Sequence, residues 1–322
     1  MFLSHFRAQC TPSTGLHDGS ILWEDLQHMS YAVFRHRHAN LHIPSAGDDD
    51  PLLALWTALH HSPARDAVHA DLHPLLHAAP SFEIVKSKQG NSCGGPSGLQ
   101  YKHIQHHWKP AIMVAEAYEC LARMWQDRSF PDPWKWKWLV PIPKSSSKRI
   151  QDIRPIMLME VLRKLWTGLL VDEVTASLQR HSSLSLSQHG YLPHHGTDTA
   201  NLQLLNTLET AWDARRPLYG CSWDMSKAFD SVAKPLIVLR WQRLGLPAEI
   251  AQWLVDQDDN GYTIIIVRTP HALAKLDVEG LEGLRKLSFN PERGTGQGDI
   301  HSHFTWLAGF DVLQPLHLVS GF

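Results

Sequence analysis

Residues 222–232 read Ser-Trp-Asp-Met-Ser-Lys-Ala-Phe-Asp-Ser-Val, and this stretch decides the fold. It follows Leu218, Tyr219 and Cys221, an apolar run that is typical of a strand. Asp224 therefore stands at the end of a predicted strand, where a carboxylate can hold a hard cation such as Mg²⁺. Taken alone, an aspartate in this position is more often a turn former. Its interpretation depends on the motifs that accompany it.

Other motifs flank this stretch in a defined order along the chain. They are Gly-Gly-Pro-Ser-Gly-Leu at 94–99, Leu-Val-Pro-Ile-Pro-Lys at 139–144 with Arg-Pro-Ile at 154–156, Gln-His-Gly-Tyr at 188–191 and Arg-Gly-Thr-Gly-Gln-Gly at 293–298. In this order the set resembles the reverse transcriptases of non-LTR (LINE-type) retrotransposons. The resemblance covers roughly residues 80–320, and His303 stands where that family usually has proline.

The resemblance implies an α+β fold: the fingers and part of the palm of a right-hand polymerase. We expect an antiparallel sheet with helices packed on one face, which the mixed order of helical and strand patterns also favours. It further implies a fingers-like region at 81–215 and a partial palm at 216–322. The helical patterns before residue 80 predict a separate helical region of unknown role at 1–80.

The activity implied is RNA-directed DNA polymerisation by two-metal nucleotidyl transfer. Its expected partners are an RNA template, a DNA primer and deoxynucleotide triphosphates. Asp224 is the expected catalytic residue and, with the carbonyl of Met225, the expected Mg²⁺ ligand. Lys144 and Arg154 are expected to bind the triphosphate from a fingers hairpin, since arginine offers a planar fork and lysine a point charge.

Three more substrate-binding residues follow from the same resemblance. Phe229 lies where the family sets an aromatic ring against the sugar and so favours deoxynucleotides. Gln297 and Gly298 lie where the family contacts the incoming nucleotide. Glycines suit such a contact, since they let the backbone approach a ligand closely.

The second acidic motif of the family, an Asp-Asp pair, does not occur after Ser302 in this sequence. The pair Asp258-Asp259 comes too early along the chain to take that place. The sequence therefore predicts an incomplete copy that ends before the Asp-Asp hairpin and the thumb, and that is inactive on its own.

Charge leaves a second class of function open. The formal net charge is −2, but residues 100–165 hold 12 Lys/Arg against six Asp/Glu. Such a positive face can attract a polyanion although the whole chain is nearly neutral. With Trp134, Trp136 and Trp138 as stacking rings, this region could serve a non-catalytic module that binds RNA or another single-stranded nucleic acid. Packing within a hairpin is the alternative for these tryptophans, and an unfolded remnant is a third possibility.

Composition excludes several other classes. The four cysteines form no Cys-x-x-Cys pair, which argues against a disulfide framework and a structural zinc site. The 22 histidines lack the spacing of a tetrahedral metal site. No apolar run approaches the roughly 20 residues of a membrane helix, and the start does not resemble a signal peptide. We expect a soluble intracellular protein of the cytoplasm or nucleus.

Apolar periodicity predicts the elements. Helices are expected at 20–40, 52–78, 110–126, 158–180 and 234–256, and strands at 138–143 and 262–267. A further helix is expected to begin near Thr197, with Leu204, Leu205, Leu208 and Trp212 facing the core.

Overall fold

The computed structural model describes residues 29–37, 50–78, 93–107, 111–144, 149, 152–220, 222, 228–230, 232–259, 261–266, 288–291 and 294–311. The α-helices within these residues are α1 (Tyr31–Arg37), α2 (Pro51–His60), α3 (Arg65–Leu72), α4 (Tyr101–His107), α5 (Ala111–Gln126), α6 (Val161–Arg180), α7 (Thr197–Asp213), α8 (Lys234–Arg243), α9 (Ala248–Asp259) and α10 (Ile300–Phe310). Short 3₁₀ turns cover His73–Leu76 and Asp132–Lys135.

The sheet of the described residues has three strands in the order β2-β1-β3, with β1 at Trp136–Pro143, β2 at Ile153–Leu158 and β3 at Tyr262–Ile265. β1 and β2 form an antiparallel hairpin in which Val140 pairs with Ile156. β1 and β3 run parallel, with Trp138 opposite Ile264. The described sheet is therefore mixed, where the sequence predicts an antiparallel one. A parallel pair needs a long crossover connection, and the helices between β1 and β3 supply it.

Tryptophans form the centre of the main hydrophobic core. Trp125 of α5 is fully buried and meets Trp166 of α6 and Trp253 of α9 edge-on, at ring-centroid distances of 5.1 and 5.2 Å. Edge-to-face contacts of this kind add to the free energy gained by burying aromatic area. The predicted stripe of α6 is confirmed, because Val161, Leu165 and Leu169 are all buried.

The same core joins all three predicted regions of the chain. Val68 and Leu72 of α3 lie in one cluster with Trp125, with residues of α8 and α9, and with Leu307 of α10. Residues 64–76 thus share one core with residues of the predicted regions at 81–215 and 216–322, which the sequence did not predict. The domain boundaries themselves stay a prediction.

The predicted helix at 234–256 is two helices. Gly245 interrupts it with φ at +105°, a value that glycine adopts without strain. A Cβ atom there would lie 2.6 Å from the carbonyl oxygen of Arg65. The break is local: the N–H of Leu246 donates to the carbonyl of Trp241 over 3.0 Å, which caps α8, and Pro247 follows two residues after Gly245. The same turn also lies against the start of α3.

α7 forms as predicted, but its apolar side does not face a core within the described residues. None of its residues is buried, and Leu204, Leu205, Leu208 and Trp212 are exposed. The helix starts after Gly196, whose N–H donates to the Thr199 hydroxyl over 3.0 Å. The predicted direction of this face is wrong for the described part of the chain, because no described element covers it.

Among the described residues, no helix combines the length and apolar character that crossing a bilayer requires.

Candidate functional site

The β1–β2 hairpin places the two predicted phosphate-binding cations at one end. Arg154 lies opposite Ile142 in the antiparallel register. Lys144 comes two residues after Ile142, and its N–H donates to the carbonyl of Asp152 over 2.8 Å. Because side chains alternate along a strand, Lys144 and Arg154 belong to the same face of the hairpin. Both are exposed and can meet a polyanionic ligand.

The glycine-rich loop at 294–299 packs against this hairpin. The carbonyl of Gln297 accepts a hydrogen bond of 2.7 Å from the N–H of Met157 in β2. Gly298 has φ at +108°, and a Cβ atom on it would lie 2.8 Å from the Met157 carbonyl oxygen. The missing Cβ of Gly298 thus serves a close approach to β2, three residues after Arg154. The approach of this loop to a nucleotide stays a prediction.

The other side of the loop contacts Phe229, Asp230 and Val232. Thr295 donates its N–H to the carbonyl of Phe229 over 2.9 Å, and Gly294 donates to Val232 over 2.7 Å. Gly294 has φ at +86°, and a Cβ on it would lie 2.7 Å from the Phe229 oxygen. The loop thus joins two motifs that are far apart in sequence. Asp224 and Met225, the predicted catalytic residue and metal ligands, lie outside the described residues.

A cluster of aromatic rings connects the motif at 188–191 to Phe229. The ring of His303 on α10 lies 4.7 Å from that of Tyr191 and 6.0 Å from that of Phe229, the latter edge-on. Phe229 also lies 6.0 Å from Trp306. Burial among these rings lowers the pKa of His303, although the charge of Asp299 opposes the shift. A histidine in place of the family's proline thus links the motif at 188–191 to Phe229.

The motif at 94–99 packs against the residues that directly follow β2. Gly95 packs so tightly against Met159 and Glu160 that a Cβ would lie 2.5 Å from their backbone. Ser97 donates its N–H to Glu160 Oε1 over 2.7 Å and its hydroxyl to Oε2 over 2.5 Å. This turn therefore packs against the residues that connect β2 to α6.

Next to the loop lies a buried network of charged side chains that the sequence did not predict. The carboxylate of Asp258 at the end of α9 is bonded by Lys137 of β1 and, over 2.7 Å, by Arg163 of α6. Arg163 also lies 3.5 Å from Asp299, and Asp299 lies 2.9 Å from Nδ1 of His301. All five side chains are buried, and together they form what we call the ionic network.

Neighbouring charges stabilise the charged forms of Asp258 and His301, whereas burial lowers the pKa of Lys137 although Asp258 opposes the shift. Burial alone would raise the pKa of Asp258, but Lys137 and Arg163 outweigh it and hold that pKa far below its usual range. Burial would lower the pKa of His301, but the adjacent Asp299 and Asp258 raise it instead. Removing one member would leave its partner charged and buried, which is costly.

Oxygen and nitrogen atoms of Asp258, Asp299 and His301 lie within 4.8 Å of one another, close enough to hold a metal ion. However, Lys137 and Arg163 already neutralise Asp258 from within the same buried space. A divalent cation would have to bind beside two fixed positive charges. The arrangement is therefore that of an ion-pair network, and Asp258 does not fit the missing acidic motif.

The network also corrects the predicted positive face at 100–165. Lys137 and Arg163 were counted in it, but both are buried and their charges face acids. The burial of Arg163 was not predicted, because the apolar stripe of Val161, Leu165 and Leu169 covers only one side of α6. In the structure α6 is also buried on further sides, where Trp166 and other residues pack. The signal available was an arginine within an otherwise apolar stretch of helix.

The tryptophans of the alternative function are partly engaged in packing. Trp136 is buried and stacks on Tyr262 of β3 at 4.7 Å. Trp134 belongs to the 3₁₀ turn before β1 and packs against Phe130 at 5.5 Å. Trp138 is half-buried in β1. The three rings therefore do not form one exposed stacking surface.

Comparison with known proteins finds a distant similarity to a retrotransposon protein. The chain is 26% identical over 219 residues to the retrovirus-related Pol polyprotein of the type-1 retrotransposable element R2 from Popillia japonica. The match covers 64% of this chain and 28% of the relative's length. No protein-family model matches the chain. The similarity supports a retrotransposon-related protein.

Proposed function

We propose that this chain carries the fingers and part of the palm of a reverse-transcriptase domain, which binds a deoxynucleotide triphosphate on an RNA template and DNA primer. The observation that carries the proposal is the position of the 294–299 loop. Through Gln297 it is bonded to β2, which bears Arg154, and through Thr295 to Phe229. The backbone segments that bear Arg154 and Phe229 thus both contact the loop that bears Gln297.

Each proposed contact has a physical basis. Lys144 and Arg154 are exposed cations on one face of the hairpin and suit a triphosphate. Gln297 is half-buried and Gly298 is exposed, so the loop can present backbone and side chain to a nucleotide. The ring of Phe229 is half-buried, 6.0 Å from the rings of His303 and Trp306, and its exposed part is the proposed contact with the sugar.

Magnesium remains a proposal that rests on the sequence at Asp224 and Met225. The nearby described acids Asp258 and Asp299 do not fit a second metal site, since buried cations neutralise them. We therefore assign no catalytic step to a metal here.

Nucleotide binding by the full chain tests the proposal. Arg154→Ala should weaken dTTP binding about 10- to 100-fold, since charge-assisted hydrogen bonds to phosphate are among the stronger ones. The matched control is Arg123→Ala, an exposed arginine of α5 that pairs only loosely with Glu119 at 3.7 Å. Equal affinity of the two variants, or no dTTP binding by the unaltered chain, would contradict the proposal.

The alternative, a non-catalytic module for single-stranded nucleic acid, uses the same exposed cations. Salt titration of binding to single-stranded RNA separates the two functions, because each lost phosphate contact lowers the salt slope by about 0.7. RNA binding that depends on Lys144 and Arg154, without any dTTP binding, would favour the module.

A further inference from the structure

The ionic network connects four segments that are remote in sequence. Lys137 comes from β1, Arg163 from α6, Asp258 from the end of α9, and Asp299 and His301 from the junction of the glycine-rich loop with α10. Asp299 is the last residue of the loop, two residues after Gln297. The network therefore reaches the proposed nucleotide site through the backbone of that loop.

Charge balance explains how the network holds the loop. Arg163 faces Asp258 at 2.7 Å and Asp299 at 3.5 Å, so one guanidinium links α9 to the loop. Lys137 supplies the second positive charge, and the two acids supply two negative ones. Beside the network lies a cavity of about 20 Å³ lined by Lys137, Asp258 and the loop residues Gly294, Thr295 and Gly296, large enough for about one water molecule. Asp230 and Lys234 also line this small polar pocket, over which the loop lies.

Few other positions of the 294–299 loop would satisfy its buried charged groups. Its hydrogen bonds to Met157 and Phe229 are made by the backbone and would be available to many sequences. Three side chains hold the loop: those of Asp299 and His301, both buried against charged partners, and that of Ser302, whose hydroxyl donates to the Gly296 carbonyl over 2.8 Å. Because a buried charge is stable only beside its partners, few other loop positions satisfy these groups.

We propose that Asp258 is a positioning residue for the proposed nucleotide site: with Arg163 it fixes Asp299 and so holds Gln297 and Gly298 in place. Asp258 touches no substrate in this role and acts through the loop. The inference rests on the proposed function for its nucleotide readout, whereas its structural readout is independent of that function.

The experiment compares Asp258→Asn with Asp256→Asn in the full chain. Asp256 lies on the same helix, where its carboxylate accepts a hydrogen bond from Gln252 at the surface. In Asp258→Asn the exchange of the hydrogen-bonded amides at 294, 295 and 299 and of Met157 should accelerate about 100-fold, because one partner of a buried pair is lost. In Asp256→Asn the exchange should match that of the unaltered chain.

A compensating variant separates positioning from simple stability. Lys137→Met with Asp258→Asn removes one charge of each sign and leaves Arg163 beside Asp299. Protection at 294–299 should return to within about threefold of the unaltered chain, since neutral replacement of both partners is often tolerated. A variant Asp258→Asn that melts earlier but keeps the loop protected would overturn the inference, and so would a double variant that fails to restore the loop.

Nucleotide binding provides the second readout. Asp258→Asn should bind dTTP at least about tenfold more weakly than Asp256→Asn, and the double variant should recover most of the loss. If the unaltered chain binds no dTTP, the proposed function fails and the exchange data alone decide the inference. Should Asp258→Asn not fold, His301→Gln takes its place, and an unchanged loop in that variant would overturn the inference.

Discussion

The backbone N–H of Thr295 donates to the carbonyl oxygen of Phe229 over 2.9 Å. This bond joins the loop at 294–299 to residues that precede it by more than 60 positions. The adjacent Gly294 makes the contact possible, because its φ of +86° and its missing Cβ let the two backbones meet. The loop's position therefore depends on glycine at this site as much as on the hydrogen bond.

Gly294→Ala should destabilise the protein by about 1–3 kcal/mol, because a left-handed backbone conformation and a Cβ only 2.7 Å from the Phe229 oxygen are both unfavourable. Urea unfolding of the full chain measures the change. Gly220→Ala is the matched control, since nothing lies within 4 Å of a Cβ at that exposed position. A loss of equal size in both variants would contradict the close approach at Gly294.

Substitution of a buried and of an exposed tryptophan should change the free energy of unfolding by very different amounts. Trp125→Ala should cost about 3–5 kcal/mol, because its ring is fully buried between Trp166 and Trp253. Trp212→Ala on α7 should change stability by less than about 0.5 kcal/mol, because this ring is 84% exposed. The free energy of unfolding of each variant checks the pair. A large loss at Trp212 would show that the apolar side of α7 is covered in the folded protein.

We expect the titration of His301 to contribute to the pH dependence of the free energy of unfolding. Its acidic neighbours raise the pKa of His301 in the folded protein, so its protonated form stabilises the fold. That contribution is complete below the unfolded pKa of about 6.5, and it is lost as the pH rises through the higher pKa of the folded protein.

His301→Gln should therefore cost more stability at about pH 5.5 than at about pH 9. Urea unfolding at both pH values provides the comparison, with His36→Gln on α1 as an exposed control. A cost that is greater at the higher pH would mean that His301 is buried in its neutral form.

Template-directed synthesis is a separate matter from binding. We predict that the 322 residues by themselves incorporate no deoxynucleotide on an RNA template, because Asp258 and Asp299 are committed to ion pairs and no Asp-Asp pair follows Ser302. A primer-extension assay with Mg²⁺ checks this. Incorporation that Asp224→Ala abolishes would refute the prediction and would identify Asp224 as catalytic.

Local patterns were sufficient for most of the elements. The apolar spacing of 161, 165 and 169 predicts α6, and the alternating run before Pro143 predicts β1, because both signals depend on neighbours in sequence. The hairpin that carries Lys144 and Arg154 was predicted from the family resemblance. The break at Gly245 was missed although Gly245 and Pro247 are a local helix-stop signal. Only the contact of Gly245 with Arg65 of α3 depends on a remote part of the chain.

The sequence by itself determined the order of motifs, the kinds of residue that could meet a nucleotide, and the helices and strands that hold them. Only the tertiary structure decided which of these residues meet: that the 294–299 loop lies on both β2 and Phe229, and that Lys137, Arg163 and Asp258 neutralise one another inside the protein. The physical reason is that a charge in a sequence shows no sign of whether water or an opposite charge surrounds it. That depends on segments more than 90 residues apart, and they come together only when the chain folds.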